Sequence, residues 1–206
     1  MKLQVQNAFK YYGDKIVLDN FSMDFPEKGV VCLFGPSGCG KTTLLNCIAG
    51  LTKVDQGKIT GNEGIKISCI FQEDRLLPWL TAKENVAAVL ENREKGFMEA
   101  QNWLCKMGLK GETEKRPDQL SGGMSRRVAI ARSLAYGGDL FLHDEPFQRL
   151  DDKIKWNVQN LVKEETGNAL VIFVTHDAEE MRTMADITYV MEGPPLRIVN
   201  IIQTKR

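Results

Sequence analysis

The chain has 206 residues, and its 27 Lys and Arg balance its 27 Asp and Glu, so its formal net charge is zero. Hydrophobic residues make up 43% of the chain, which is typical of a globular protein with its own core and excludes disorder as the main state. The neutral charge argues against binding of bulk nucleic acid, which usually needs a strongly basic face.

The sequence also constrains the compartment. No stretch approaches the roughly 18–20 consecutive apolar residues that span a bilayer, and the N-terminus lacks the apolar region of a secretory signal. The chain has 5 Cys, an odd number, and no C-x-x-C pair. We therefore expect reduced thiols in a cytoplasmic protein.

The first third of the chain has the pattern of an α/β fold. Residues 3–6 alternate apolar and polar side chains and predict a strand, and a second strand is expected over 16–25. The uninterrupted apolar run 30–34 predicts a strand buried on both faces of a parallel sheet. A glycine-rich loop and a helix over 42–49 follow this run, which completes a first β-α step.

The remainder divides into a helical middle and a second α/β part. Residues 56–71 predict two short strands, and about 83–136 is expected to be mostly helical. Thr81 and Glu84 have the spacing of a capping box, in which each side chain bonds a backbone N–H of the other. The α/β pattern then resumes, with strands over 140–142, 170–174, 187–191 and 196–201 and helices over 152–165 and 178–185.

One segment has the residue pattern of a phosphate-binding loop. Glycines let the backbone curl so that successive N–H groups face phosphate oxygens, and the following helix adds its positive end. The lysine reaches the β- and γ-phosphates, and the hydroxyl of the last residue can bind Mg²⁺. The segment that fits G-x-x-x-x-G-K-[ST] without a mismatch is Gly35, Pro36, Ser37, Gly38, Cys39, Gly40, Lys41 and Thr42.

Further polar residues follow the strands predicted downstream. Asp144 and Glu145 end an apolar strand, where an acid is costly unless it serves a site. Asp144 is placed to hold Mg²⁺, and Glu145 to orient or deprotonate a water molecule; an ordinary surface pair is the alternative. His176 follows another apolar strand and is either structural or part of the site, since open α/β sheets bind ligands at this edge.

A second segment has features of an anion site. Ser121, Gly122 and Gly123 precede the helix predicted over 124–135, so they either cap this helix and do nothing else or offer its free N–H groups to a phosphate. Two phosphate-seeking sites in one chain suggest a nucleotide shared between two molecules.

Together these residues resemble the ATP-binding subunits of ABC (ATP-binding cassette) transporters, in order and approximate spacing over nearly the whole chain. Residues 35–42 resemble the Walker A motif, 120–123 the signature motif and 140–145 Walker B. Gln72 resembles the Q-loop glutamine, Leu150-Asp151 the D-loop and His176 the switch histidine. Tyr12 resembles the aromatic residue that stacks on adenine, with neighbouring Tyr11 as the alternative.

The resemblance implies a P-loop NTPase core of the ABC ATPase type, α/β in class, with an antiparallel β subdomain and an inserted helical subdomain. Residues 1–206 would form a single domain: 1–80 and 137–206 the core with the β subdomain, and about 81–136 the helical subdomain with the signature motif.

The resemblance also implies a site shared by two copies in a head-to-tail dimer that binds ATP and Mg²⁺. The catalytic residues would be Glu145, His176 and Gln72. Thr43 would join Tyr12 and residues 35–42 in nucleotide binding, and Thr42, Gln72 and Asp144 would hold Mg²⁺. The residues that act in trans on the partner's ATP would be Ser121, Gly122, Gly123 and Asp151.

Two further details resemble the nitrate, sulfonate and taurine importers. These are the segment 76–80, Leu-Leu-Pro-Trp-Leu, and Met124 after the signature glycines. The implied function is an ATPase on the inner face of the cell membrane that drives uptake of a small solute through a separate permease, with a solute-binding protein as an indirect partner. A soluble ABC ATPase not coupled to transport is the alternative, although the neutral charge and the 76–80 segment disfavour it.

The chain departs from the family pattern at several positions. Ser125 and Arg126 stand where Arg-Gln is usual, and His143 replaces an apolar residue before the Walker B aspartate. Gln148 and Arg149 stand where small residues usually precede the D-loop. A long cation here could pair with an acid across the dimer interface or hold the two copies apart when ATP is absent, and we expect Arg149 to weaken dimer closure.

Overall fold

The computed structural model describes residues 2–91 and 93–204. The chain forms two compact units. The first comprises Met1–Cys69, Gly138–Glu145 and Gly167–Arg206, and the second comprises Ile70–Gly137 and Pro146–Thr166.

The first unit is built on a six-stranded sheet. The strands are β3 (Gly29–Phe34), β5 (Ile67–Ile70), β6 (Leu140–Asp144), β7 (Leu170–Thr175), β8 (Ile187–Glu192) and β9 (Arg197–Gln203). Their order in the sheet is β5-β6-β7-β3-β8-β9. Strands β6, β7, β3 and β8 run parallel, and β9 closes the sheet antiparallel to β8. The helices of this unit are α1 (Lys41–Ile48) and α6 (Ala178–Met184).

A smaller antiparallel sheet completes this unit and consists of β1 (Gln4–Tyr12), β2 (Lys15–Asp24) and β4 (Gln56–Thr60). Its strand order is β2-β1-β4. Val5 and Phe21 from this sheet join Leu33 and Ile172 from the larger sheet and Leu44 of α1 in one hydrophobic core. Because β3 and β7 are buried along almost their whole length, their apolar runs have no polar alternation.

The second unit is helical, with α2 (Ala82–Ala87), α3 (Arg93–Lys106), α4 (Gly122–Tyr136) and α5 (Asp152–Glu165). A short 3₁₀ turn, Pro117–Gln119, precedes α4. The predicted capping box is confirmed at the start of α2, where Thr81 Oγ1 accepts from the N–H of Glu84 and Glu84 Oε2 accepts from the N–H of Thr81. These reciprocal bonds fix where α2 begins.

The expectations about the cysteines and about membrane spans can be compared with the structure. The cysteines are free thiols, and Cys32, Cys39 and Cys47 are buried. Burial raises the pKa of the Cys32 thiol. Across 2–91 and 93–204, none of the helices is both long and apolar enough to cross a membrane.

Candidate nucleotide-binding site

Three neighbouring strands end at one edge of the six-stranded sheet, and each is followed by a predicted site residue. In the registers of the sheet, Phe34 of β3 pairs with Thr175 of β7, and Asp144 of β6 pairs with Val174 of β7. The glycine loop therefore leaves this edge beside the residues that follow β6 and β7. Carboxyl edges of parallel sheets are where α/β folds bind ligands.

The loop over 35–42 requires glycine at its two ends. At Gly35, a Cβ atom would lie 2.3 Å from the carbonyl oxygen of Met191, so no larger residue fits. Gly40 has a φ of +117° and is the N-cap of α1. Since this N-cap has no side chain, the first N–H groups of α1 are left for a ligand, and its opening residues Lys41-Thr42-Thr43 include no acid to compete with an anion.

Lys41 is buried and folded back onto this loop. Its Nζ donates to the carbonyl oxygens of Gly35 at 2.9 Å and Pro36 at 2.7 Å. Cys39 Sγ lies 3.5 Å from the same Nζ and is fully buried. The ammonium is thus held against the loop by neutral acceptors, none of which neutralises its charge.

Asp144, Glu145 and His176 lie at the adjoining strand ends. Asp144 is the buried last residue of β6. Glu145 has a φ of +47°, in the left-handed region that L-residues rarely adopt and that is often retained at functional sites. Its Oε1 lies 3.2 Å from Nδ1 of His176. The glutamate side chain is 13% exposed and the histidine 57% exposed, so the pair opens to solvent on the histidine side.

The two tyrosines at the end of β1 differ in their surroundings. Tyr12 is 51% exposed, and the ammonium of Lys10 lies 5.4 Å from its ring centroid. Tyr11 instead stacks on Phe9, with ring centroids 6.4 Å apart, and its N–H donates to Asp55 Oδ2 at 2.7 Å. Of the two rings, Tyr12 is the one available to stack on a base.

Asp55 accepts hydrogen bonds from two residues of this tyrosine segment. Besides the N–H of Tyr11, it accepts from Nζ of Lys10 at 2.9 Å. Both bonds lower the pKa of the Asp55 carboxyl, and the bond from the N–H of Tyr11 has the larger effect. The bond to Asp55 in turn raises the pKa of Lys10. The ion pair therefore fixes the cation that lies over the Tyr12 ring.

The signature segment lies in the helical unit. Ser121 is the N-cap of α4, and its Oγ accepts from the N–H of Met124 at 3.2 Å. Both Ser121 and Gly122 are exposed. The capping role is therefore present, and it satisfies one of the N–H groups of the first turn.

Two other predicted residues lie in the same unit. Asp151 is the N-cap of α5, where its Oδ1 accepts from the N–H of Ile154 at 3.1 Å. Gln72 is exposed in the irregular segment that follows β5. Asp151 thus has a structural role in its own chain that the sequence pattern did not predict.

A buried ion cluster was missed by the sequence analysis. Arg126 of α4 is fully buried, and its Nη1 lies 3.1 Å from Oδ1 of Asp74. Arg149 Nη2 lies 3.0 Å from both carboxylate oxygens of the same Asp74. Arg149 thus pairs with an acid of its own chain, and its effect on closure of a dimer stays a prediction. The unusual residues at 126 and 149 were the available signal, but their shared partner lies more than 50 residues away in sequence.

The donor set at the sheet edge fits Mg²⁺. This ion is usually held by one or two carboxylates together with substrate phosphates and waters rather than by an all-protein cage. Thr42, the second residue of α1, is exposed, and Asp144 ends β6 with a carboxylate. Within the part of the chain that the structure describes, no three His, Cys, Asp or Glu side chains cluster as a metal cage.

The loop, the strand ends and the helical unit define an ATP-binding cassette. The chain belongs to the ABC transporter family, whose model matches residues 18–148.

Two relatives and one solved structure are similar over almost the whole chain. The aliphatic sulfonates import ATP-binding protein SsuB 3 of Paraburkholderia xenovorans is 42% identical over 94% of this chain and 78% of the relative. The Fe(3+) ions import ATP-binding protein FbpC of Fusobacterium nucleatum is 35% identical over 93% of this chain and 56% of the relative. A dimeric, post-hydrolysis structure of the ATP-binding cassette MJ0796 bound to ADP and Pi is 28% identical, with a TM-score of 0.89 over 99% of both chains.

Proposed function

We propose that this chain is the ATP-binding and ATP-hydrolysing subunit of an ABC importer. The observation that carries the proposal is the glycine loop at the carboxyl edge of the sheet, in the same unit as the Glu145–His176 pair. This arrangement can bind a triphosphate and act on a water molecule next to it. Residues 1–206 act as one ABC ATPase domain: 1–80 and 137–206 form the core, and about 81–136 forms the helical subdomain.

Nucleotide binding relies on residues 35–43 and Tyr12. The N–H groups of the loop and the start of α1 bind phosphate oxygens, and Lys41 turns from its carbonyl acceptors to the β- and γ-phosphates. Thr43, in the first turn of α1, completes the phosphate site. The exposed ring of Tyr12 stacks on the adenine.

Thr42, Asp144 and Gln72 hold the Mg²⁺ that accompanies ATP. When bound, Mg²⁺ neutralises charge on the β- and γ-phosphates. The hydroxyl, carboxylate and amide oxygens of these residues are the hard donors that this ion prefers.

Glu145 is the general base of hydrolysis. Its carboxylate orients the attacking water and takes a proton from it, while His176 holds the γ-phosphate. The 3.2 Å separation between Glu145 Oε1 and His176 Nδ1 supports a shared task for the pair. Gln72 senses the ion and the attacking water from its own loop.

The complete site needs two copies of the chain in a head-to-tail dimer. Ser121, Gly122, Gly123 and Asp151 act in trans on the ATP that the partner's glycine loop holds. The exposed, acid-free start of α4 supports this role, because a helix N-terminus attracts anions. The similar cassette that was solved with ADP and Pi is dimeric.

The transport role is supported by the relatives. SsuB 3 and FbpC are both named as import ATP-binding proteins, the first for aliphatic sulfonates and the second for Fe(3+) ions. We infer that the chain works on the inner face of the cell membrane, bound to a transmembrane permease that receives solute from a solute-binding protein. It then powers uptake of a small solute, with the resemblance favouring the nitrate, sulfonate and taurine class.

Two measurements test this function. Phosphate release from ATP by the purified chain, abolished in Glu145→Gln, tests the ATPase. Co-expression with a permease, followed by affinity purification and reconstitution in vesicles, tests the coupling to transport. Hydrolysis without co-purification of a membrane protein would favour the soluble ATPase instead.

A further inference from the structure

Arg149 lies against the glycines that open the signature helix α4. A Cβ atom at Gly122 would lie 3.3 Å from Cδ and 3.5 Å from Nη1 of Arg149, and one at Gly123 would lie 2.8 Å from the carbonyl oxygen of Arg149. The guanidinium therefore sits beside the exposed start of α4. Side chains at 122 and 123 would displace it, so the two glycines make room for this arginine.

A cation at the N-terminal end of a helix is electrostatically unfavourable. The start of a helix carries a partial positive charge, so it stabilises anions and repels cations. The first turn of α4 supplies no acid of its own, since its residues are Gly122, Gly123 and Met124. A carboxylate that holds Arg149 here must therefore come from another segment of the chain.

Asp74 holds the arginine in this position. Nη2 of Arg149 lies 3.0 Å from both carboxylate oxygens of Asp74, while Nη1 of the buried Arg126 lies 3.1 Å from Oδ1. One carboxylate thus faces two guanidinium groups. Removing Asp74 would leave Arg126 buried without this partner, which is strongly destabilising.

Two further hydrogen bonds fix the backbone of the segment that carries Asp74. Arg126 donates to the carbonyl oxygen of Phe71 at 2.6 Å, and Arg132 donates to that of Asp74 at 2.9 Å. By contrast, the side chain of Arg149 is 43% exposed, so its outer edge remains open to a ligand.

The backbone conformation of Arg149 is also unusual. Its φ is +68°, in the left-handed region that favours glycine, yet the chain places a long cation there. Such strain is retained mainly where the surrounding structure and the function require it.

We propose that Arg149 is a tethered cation of the signature anion site. Asp74 holds its guanidinium beside the start of α4, where it binds the phosphate that a second copy of the chain presents. This role rests on the proposed dimeric ATPase and adds a phosphate-binding residue to it.

The test uses the full chain with Glu145→Gln, in which ATP is retained, and measures ATP-dependent dimerisation by light scattering. Arg149→Met keeps the length and the strained backbone position but removes the charge. Arg149→Lys keeps the charge. Arg182→Met removes the same charge from an exposed position on α6 and is the matched control.

We expect Arg149→Met to need about tenfold more ATP for half-maximal dimerisation, the scale of one charge-assisted hydrogen bond. Arg149→Lys should restore most of this loss, and Arg182→Met should behave as the parent. The gap between parent and Arg149→Met should narrow at high salt, because exposed charges are screened. A purely structural role for Arg149, through its ion pair with Asp74, predicts instead that Arg149→Met lowers the Tm of the ATP-free chain along with the loss of dimerisation.

Two outcomes would contradict the proposal. If Arg149→Met dimerises as well as its parent, or better, Arg149 does not bind the phosphate, and better dimerisation would mean that the arginine opposes closure. If the Glu145→Gln parent itself forms no ATP-dependent dimer, the proposed dimeric site is refuted and the role of Arg149 is refuted with it.

Discussion

His176 Nδ1 lies 3.2 Å from Glu145 Oε1, although the two residues are 31 positions apart in sequence. The contact forms because β6 and β7 are parallel neighbours, so the residues that follow them leave the same edge of the sheet. A carboxylate and an imidazole at hydrogen-bond distance can divide the handling of a water molecule and a phosphate between them.

Glu145→Gln should stop hydrolysis and leave ATP binding intact. The amide keeps the shape of the side chain but cannot accept a proton from water, and losing a general base costs about 10²–10⁴-fold in rate. Phosphate release measures the loss, and light scattering should show an accumulated ATP-bound dimer that Ser121→Arg disperses. Hydrolysis at the parental rate would remove Glu145 from the catalytic role and leave His176 as the candidate.

Lys41→Ala should abolish tight ATP binding. Its Nζ is held against the loop by two carbonyl oxygens and is the cation of that loop placed to reach the β- and γ-phosphates. Fluorescent ATP titration measures the affinity, with Lys28→Ala as the control because this exposed lysine lies in the turn before β3. Unchanged binding in Lys41→Ala would show that the Walker A assignment is wrong.

Tyr12→Ala should weaken ATP binding by roughly 1–2 kcal/mol, the scale of one base stacked on an aromatic ring. Tyr11→Ala should have a smaller effect, because its ring already stacks on Phe9. Binding of tripolyphosphate, which has no base, should be the same in both variants and in the parent. Equal losses of ATP affinity in the two variants would refute the assignment of stacking to Tyr12 alone.

The Asp55 carboxylate should make a pH-dependent contribution to stability. Because its pKa is lower in the folded chain than in the unfolded one, it stabilises the fold above the ordinary aspartate pKa. That contribution is lost as the pH falls through the folded-state value. Asp55→Asn should therefore lower the Tm near neutral pH, and its difference from the parent should begin to narrow below about pH 4 and close once the pH lies below the folded-state pKa. Asp19→Asn, an exposed change on β2, is the control; a pH-independent gap for Asp55→Asn would contradict the prediction.

Local patterns predicted the elements well because their causes are local. The capping box before α2 depends on two residues three positions apart, and the apolar run of β3 reflects burial on both faces. Which sheet a strand joins depends on distant partners. The pattern over 56–71 indicated two short strands, but β4 pairs with β1 whereas β5 joins the six-stranded sheet beside β6.

The same distinction holds for the site. The glycine loop is contiguous in sequence, so its phosphate chemistry was readable from residue types alone. The exposed Tyr12 and the stacked Tyr11 could not be told apart, because that difference depends on Phe9 and on Asp55, 44 residues after Tyr11. The pairing of Arg149 with Asp74 spans 75 residues and likewise required the fold.

Ser121 offers a test that separates its two roles. Its Oγ caps α4 by accepting from the N–H of Met124, and Asp and Asn cap helices about as well as Ser. Ser121→Asp and Ser121→Asn should therefore both keep a Tm close to that of the parent. Only the aspartate brings a negative charge to the place where the partner's γ-phosphate would bind.

In the Glu145→Gln background, we expect Ser121→Asn to retain ATP-dependent dimerisation and Ser121→Asp to lose it. The loss arises because like charges in a desolvated contact repel strongly, whereas the asparagine amide can still donate to a phosphate oxygen. Light scattering over an ATP titration measures both variants, and circular dichroism confirms that α4 is intact. If the aspartate variant dimerises like the asparagine variant, Ser121 only caps its helix, and the phosphate contact in trans must come from other groups.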